Sequence, residues 1–470
     1  MKTQIVQKSW LIEAGHRLDC SPFMSGAMEA KHTLKSIKNV DELSTLTTSP
    51  KLGVYHAGRY KRVWVDDPKL GVSFMSSTNV LNSDLAGFTF ISKKSLEENP
   101  LLGIKENQIL ITRSGTIGRM RFSRKDMVGM ALTEHVLRVD IDPKKAPEGY
   151  VYAFLASKFG VPMVIAPTYG AIIQHIEPQH IFTLPVPRFN ASDESKIDKK
   201  IKQSTEMMEV YQEKLNEASS LILKSSDLSN YCSFDWHQSG KDTGFTIKKF
   251  NDSLSLRALN YNERFNGLVN RLKQNHFKIL SEIVENGELR TGVRFKRIDA
   301  SEEFGVKLVG QKQAFWQRPE GRYVSPAFTP PGVIVPDGTL LISAQGTLGE
   351  RSIFCKPVLV KGKWAEYAYT QHFLRVRSGL DNIPNEYLYA FFRTEVAYRC
   401  LWSMSMGSAQ QDINLKMLRK LPIPILEQNE IDKVVALVNE AFDLREKADE
   451  LELSAIKEIE DLIEQVSGTH

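Results

Sequence analysis

The sequence predicts an α+β protein in which two pseudo-repeated, β-rich domains are separated by two long antiparallel coiled-coil helices. Three observations predict it. First, the chain is written twice: ILITRSGTIG at 109–118 returns as LLISAQGTLG at 340–349, and TEHVLRV at 133–139 returns as TQHFLRV at 370–376. Second, each copy opens on short apolar runs punctuated by Gly and Pro, the pattern of buried strands and tight turns. Third, each copy closes on a long proline-free stretch with heptad periodicity. The chain therefore divides into a β-rich domain over 1–190, a spacer helix over 191–228, a second β-rich domain over 229–426 and a second spacer helix over 427–470.

Taken in order, Arg17-Leu18-Asp19 resembles Arg257-Ala258-Leu259-Asn260 near the start of the two copies. Ile109–Thr112 and Leu340–Ser343 read as buried strands, each running into a glycine turn. In those turns Gly115 and Gly118, and Gly346 and Gly349, are expected to supply positive φ at a corner. A phosphate cradle is the other reading, but the spacing is not GxxxxGK[ST] and no Lys-Ser/Thr pair follows. From Thr133 onward the copies hold a constant offset of 237 residues, which sets Tyr150 on Tyr387 in a short apolar helix of each copy. The same offset pairs YGAIIQ at 169–174 with MGSAQQ at 406–411, and LPVP at 184–187 with LPIP at 421–424. Prolines confine the last strand to a sheet edge. Five such matches in one order establish an internal duplication.

The long helices follow. Ile197, Ile201, Ser204, Met208, Tyr211, Leu215, Ala218 and Ile222 keep 4-3 spacing after the N-cap candidates Asn190, Ser192 and Asp193. Leu437, Ala441, Leu444, Ala448, Leu451, Ala455, Ile459, Leu462 and Val466 form the second seam. At 1.5 Å per residue each rod spans roughly 50–60 Å. Duplication and small seam residues favour the rods packing on each other, rather than each on its own domain.

Composition narrows the class. The 470 residues are 42% hydrophobic and 25% charged, which excludes a disordered or collagen-like chain. The 61 Lys+Arg against 56 Asp+Glu leave +5, too little for a uniformly polyanion-binding surface, so any nucleic-acid face must come from local clustering. Four scattered cysteines without a CxxC pair argue against a zinc ribbon or a dithiol redox site and for reduced thiols. With no apolar leader and no apolar run of membrane-spanning length, the chain reads as cytoplasmic.

Cations do cluster. Arg59, Lys61 and Arg62 sit among Tyr55, His56 and Tyr60, while Arg113, Arg119, Arg121, Arg124 and Lys125 follow without an intervening anion. In the second copy Arg290, Arg294, Lys296 and Arg297 precede Lys312, Gln313, Gln317, Arg318 and Arg322. Arg and Lys neutralise phosphates, and Arg and Gln make bidentate contacts to base edges. Ser114, Gln345 and Arg351 at the glycine turns are candidates beside them. Gln174, Gln410 and Gln411 read equally as adenine contacts or as helix caps. His135 and His372 occupy matched positions but read as core histidines. No NPPY, DPPY, FxGxG, HExxH, GxSxG or Walker A motif is present, so no catalytic residue and no metal ligand is assigned. Two similar domains on a rigid spacer match the local two-fold symmetry of a DNA duplex, and their unlike 30–105 and 270–335 regions imply an asymmetric, bipartite target. A standalone methyltransferase or nuclease, and a coiled-coil scaffold that touches no DNA, are the rival classes.

The LIxxxGTxG blocks, the GxxxQ loop, the LPxP strand and the long helix, in that order and twice over residues 10–466, resemble the specificity (S) subunit of Type I restriction–modification systems. The resemblance implies two target-recognition domains with no catalytic site. Residues 115–118 and 346–349 would be scaffold turns, and 191–228 and 427–466 the spacer and the docking surface for methyltransferase (M) subunits. Those subunits would bring S-adenosylmethionine and methylate adenine, and a restriction (R) subunit would be a further partner. The sequence departs from the pattern at Val63-Trp64-Val65 and Gly362-Lys363-Trp364, which look like insertions. A Type I complex, a fused or Type IIB-like system, and another methylation-linked phage defence stay open.

Overall fold

The computed structural model describes residues 3, 5–13, 16, 21–166, 175–224, 228–240, 254–274, 276–350 and 352–468. Two α+β lobes lie along a pair of long helices, Ala191–Lys224 and Gln428–Ser467. Ser204 donates to the Ala448 carbonyl at 2.7 Å, Lys200 reaches Glu458 at 2.7 Å and Lys433 reaches Glu217 at 2.9 Å. Positions advance along one helix as they fall along the other, so the helices run antiparallel. All eight residues read as the first seam are buried. Burying one Leu, Ile or Met side chain is worth about 1.5–3 kcal/mol. An exposed ion pair is worth at most about 1 kcal/mol. The apolar seam therefore drives the pairing, and the Lys–Glu pairs mainly favour this register over others.

The second seam departs from expectation. Arg445 and Glu452 are buried in it, while Leu444 and Leu451 are only half-buried and Val466 is 54% exposed. Leu437, Ala441, Ala448, Ala455 and Ile459 are buried as read, but at 445, 452 and 463 the seam takes the residue after the expected leucine, and tertiary partners accommodate the two charges. Arg445 lies 3.6 Å from the centre of the Trp364 ring and 4.5 Å from that of Phe442. Glu452 accepts from the Tyr152 hydroxyl of the first lobe and from Arg318 of the second.

The duplication is a duplication of topology. In the first lobe the strands Val54–Tyr55, Val136–Val139, Ile109–Thr112 and Met120–Phe122 form a sheet in that spatial order. In the second lobe Glu288–Thr291, Phe373–Arg377, Leu340–Ser343 and Pro357–Leu359 repeat it. A second sheet follows in each, built on Gly71–Met75 and on Val306–Val309. Pro185–Pro187 pairs antiparallel with Val40–Glu42, and Pro422–Pro424 with Phe277–Ile279, so the proline strands belong to two-stranded edges. Tyr150 donates to the Pro187 carbonyl and Tyr387 to the Pro424 carbonyl, tying the apolar helices Glu148–Leu155 and Asn385–Phe392 to those strands. Gly149 lets the first of these helices lie against the long helix, donating to Asp198 at 2.7 Å; a Cβ there would stand 2.9 Å from that carboxylate.

A buried arginine joins the two sheets of each lobe. Arg138 donates to the carbonyls of Val136, Leu102 and Leu132, and Arg375 to those of Phe373, Thr370 and Tyr369. Burial lowers each guanidinium to about 10.

Each apparent insertion has a counterpart in the other lobe. Trp64 pairs with Ile91 as Asp299 bridges Val324, so 63–65 corresponds to 298–300. Trp364 lies in the turn Gly362–Glu366, in the place that Met127 takes in Lys125–Met127. Among the described residues, no helix is long and apolar enough to cross a membrane.

Candidate nucleic-acid interface

The segment that leads from the first sheet to the second carries the same five-residue pattern in both lobes. It reads Arg59-Tyr60-Lys61-Arg62-Val63 in one and Arg294-Phe295-Lys296-Arg297-Ile298 in the other. The aromatic anchors each loop. Tyr60 packs on a cluster of Phe74, Ile91, Leu102 and Ala131, and Phe295 on one of Leu308, Val324, Val333 and Ala368. The flanking cations face the other way: Arg59, Lys61, Arg294 and Lys296 are exposed and carry no ion pair among the described residues. The final arginine of each loop is held by matched residues at the head of a core strand. Arg62 meets Glu134 at 2.5 Å and lies 4.9 Å over the Phe74 ring, and Arg297 donates to Gln371 at 2.9 Å. Burial opposes the Glu134 charge, but its own backbone N–H and Arg62 prevail and hold the carboxyl below its usual range.

The next residue along is the matched histidine. His135 Nδ1 lies 2.8 Å from the Ser114 hydroxyl, and His372 Nδ1 meets Gln345. Both rings are partly exposed at the mouth of the lobe rather than in its core, each fastened to the glycine turn. Burial, and then Arg297, lower the His372 imidazole below its ordinary value. In the second lobe these elements border a cleft of about 570 Å³ that includes Gly292, Gln345, Gln371, Met406 and Lys416. The hairpin of Ser405–Gly407 and Gln411–Ile413 overhangs it, with Met406 and Gln410 exposed. Gln411 is buried instead: its backbone pairs with Gly346, its side chain accepts from Arg257 at 2.5 Å, and so it clamps the hairpin to the turn.

Four of the remaining cations of the first lobe's cluster, Arg113, Arg119, Arg121 and Arg124, are engaged by other residues of the chain, which corrects their reading as a surface. Arg113 is buried against Glu177 and donates to the Ile176 carbonyl at 2.9 Å. Arg124 is 1% exposed and chelated by Asp126 at 2.8 and 2.9 Å. Arg121 is buried between Gln317 and the Asn82 carbonyl, and burial and then Arg124 lower it to about 10. Arg119 pairs with Glu320 of the other lobe at 2.6 Å. Ser114 is buried under His135. Lys125 is exposed, and Lys312 and Gln313 sit at the turn where the second lobe approaches the first. The glycine turns also differ. Gly115 and Gly118 take φ of 76°, and a Cβ at Gly118 would lie 2.5 Å from Ile165, whereas Gly346 and Gly349 lie outside the left-handed region. Gln174 and Arg351 lie outside the described residues. The repeated loops, with Glu134 and Gln371, are the part of the site that local charge counting leaves unmatched; a two-residue slip, from an offset of 237 to 235, brings them into alignment.

No family model and no curated protein matches the chain. Among solved structures it is similar to a Type I restriction–modification S subunit from M. genitalium, at 14% identity and a TM-score of 0.28, covering 92% of this chain and 96% of that one. The HsdS subunit from Thermoanaerobacter tengcongensis is similar at 10% identity and a TM-score of 0.26, over 92% and 95% of the two chains. A chain from a structure on complex assembly and conformational transition of the type I R-M system stands at 11% and 0.25, over 92% and 96%. Scores this low carry no assignment, so the functional reading rests on the chain's own residues.

Proposed function

We propose that this chain is a non-catalytic, sequence-reading DNA-binding subunit of a restriction–modification or phage-defence complex, a specificity subunit in type. Each lobe reads one half of a bipartite, asymmetric target in double-stranded DNA. Adenine methyltransferase subunits dock on the helix pair and bring the S-adenosylmethionine; a restriction subunit joins where the complex also cleaves. The observation that carries this reading is the repeated loop: on each of two equivalent lobes the same two positions, Arg59 and Lys61 in one and Arg294 and Lys296 in the other, hold exposed cations, and Arg297 adds a fifth in the second lobe. Lysine and arginine so placed contact phosphates and set register, while side chains of the adjoining mouth read bases. The mouths differ where they match in position, Glu134 against Gln371, which suits two unlike half-sites.

The test is co-expression with an adenine methyltransferase encoded beside this chain, followed by methylome sequencing. A modified split motif that vanishes when this chain is omitted is the expected result. Methyl transfer or Mg²⁺-dependent cleavage by the purified chain alone would overturn it in favour of an enzyme. Failure to shift any duplex, with or without the methyltransferase, would leave a scaffold.

A further inference from the structure

The tips of the two lobes touch, and they touch through equivalent residues. Asn82 and Trp316, each just beyond a short turn (Asn79–Leu81 and Gln313–Phe315), form an antiparallel bridge. Ser83 N donates to the Phe315 carbonyl at 3.0 Å, and Gln317 N donates to the Leu81 carbonyl at 2.8 Å. A pseudo-two-fold axis thus passes through this bridge. Two residues beyond it on either side stand Asp84 and Arg318, with opposite charges.

Each of these is pinned by the opposite lobe or by the rods. Asp84 takes Arg393 of the second lobe at 2.8 Å and Gln212 of the first long helix at 3.0 Å. Arg318 meets Glu452 of the second long helix at 2.5 Å, where Tyr152 of the first lobe also donates. Gln317 completes the knot: it accepts from Arg121 of the first lobe and donates to Asp449 of the second helix at 2.6 Å. The contact is therefore a buried, hydrogen-bonded junction of both lobes and both helices. Burial tends to raise the Asp84 carboxyl, but the Arg393 guanidinium outweighs it and holds it at about 2.

We infer that this lobe-to-lobe junction, and not the length of the helix pair alone, sets the distance and rotation between the two reading loops and so restricts the chain to one spacer length. The inference rests on the proposed DNA-reading role. One added base pair moves a half-site by roughly 3.4 Å and turns it by about 35°. A junction pinned on both sides of its axis cannot follow such a step without opening.

The experiment uses the full chain with its methyltransferase, and a plasmid library in which the spacer of the split target is varied. Wild type is expected to methylate one spacer length. Asp84→Asn combined with Arg318→Gln is expected to spread methylation to neighbouring lengths while each half-site stays the same. Hydrogen exchange at the Ser83 and Gln317 amides reports the junction directly, with a loss of protection on the order of tenfold expected in that variant. Retained protection would overturn the pins as assigned. Diminished protection with an unchanged single spacer would overturn the junction's role. Arg119→Glu is expected to loosen the junction and Glu320→Arg to restore it, a rescue that a misfolded variant would not show. If wild type methylates no split target at any spacing, the DNA-reading proposal falls, and the amide exchange still decides whether the junction exists.

Discussion

Replacing Arg59 and Lys61 with alanine should weaken DNA binding in a way set by counterion release. Each phosphate that is no longer neutralised lowers the slope of log affinity against log salt by about 0.9. Arg59, Lys61, Arg294 and Lys296 together therefore account for a slope of about 3.6, and each pair for about 1.8, with Arg297 adding to the second loop. Between 50 and 200 mM salt one loop's pair should contribute a drop of about 12-fold, and both pairs together about 150-fold. Because Arg294 and Lys296 sit at the equivalent place, Arg294→Ala with Lys296→Ala should lower the slope as much as the first pair does. Arg62→Ala should lower it less, because Glu134 already neutralises Arg62 at 2.5 Å. The assay is fluorescence anisotropy of a labelled duplex carrying the methylated motif, titrated with the assembled complex at several salt concentrations. A four-alanine variant with the wild-type slope would refute the reasoning. So would a slope change confined to one loop, because the argument rests on the two loops being copies.

The same duplication makes stability testable in pairs. Arg138→Met and Arg375→Met should each lower the urea midpoint, at a cost of about 3 kcal/mol, because each strands buried carbonyls that joined two sheets. Tyr150→Phe and Tyr387→Phe should each cost about 1 kcal/mol in the same measurement, one buried hydrogen bond apiece. The pH dependence should split in sign. The Asp84 carboxyl is held below its usual 3.8, so its stabilisation is present above 3.8 and is lost as pH falls toward about 2; Asp84→Asn should remove that acid limb. Burial pushes Asp449 up to about 6 despite Gln317, Arg445 and Arg318, so the native state loses stability as pH rises from 3.8 to about 6. Asp449→Asn should flatten that decline in urea titrations across the interval.

Much of the architecture was legible because it is local or repeated. The first seam needs only one helix's periodicity, and every residue read into it is buried. Tyr150 and Tyr387, matched by the 237-residue offset, each make the same hydrogen bond to the proline strand of their own lobe. The second seam was legible only in part, because its helix is covered by both lobes as well as by its partner. Leucines at 444 and 451 then flank the seam, and charges at 445 and 452 enter it with partners supplied from 364, 152 and 318. Distance along the chain also hid the fate of Arg113, Arg119 and Arg121, whose partners Glu177, Glu320 and Gln317 lie 64 to 201 residues away. A run of cations without a neighbouring anion looks like an open face until folding delivers its counterparts. The repeated loops are masked in the sequence for a smaller reason, the two-residue change in offset between Arg62 and Thr133.

Arg445 and Glu452 give the rods a detent. An apolar heptad seam is nearly periodic, and sliding one rod past the other by seven residues, roughly 10 Å, would match most of its side chains again. These two would not match. Such a slide strips Glu452 of Tyr152 and Arg318 and takes Arg445 off Trp364, and an unpaired buried charge costs about 3–5 kcal/mol. The rods therefore index at a single position, and two ions set among hydrocarbon hold the gauge of the whole assembly.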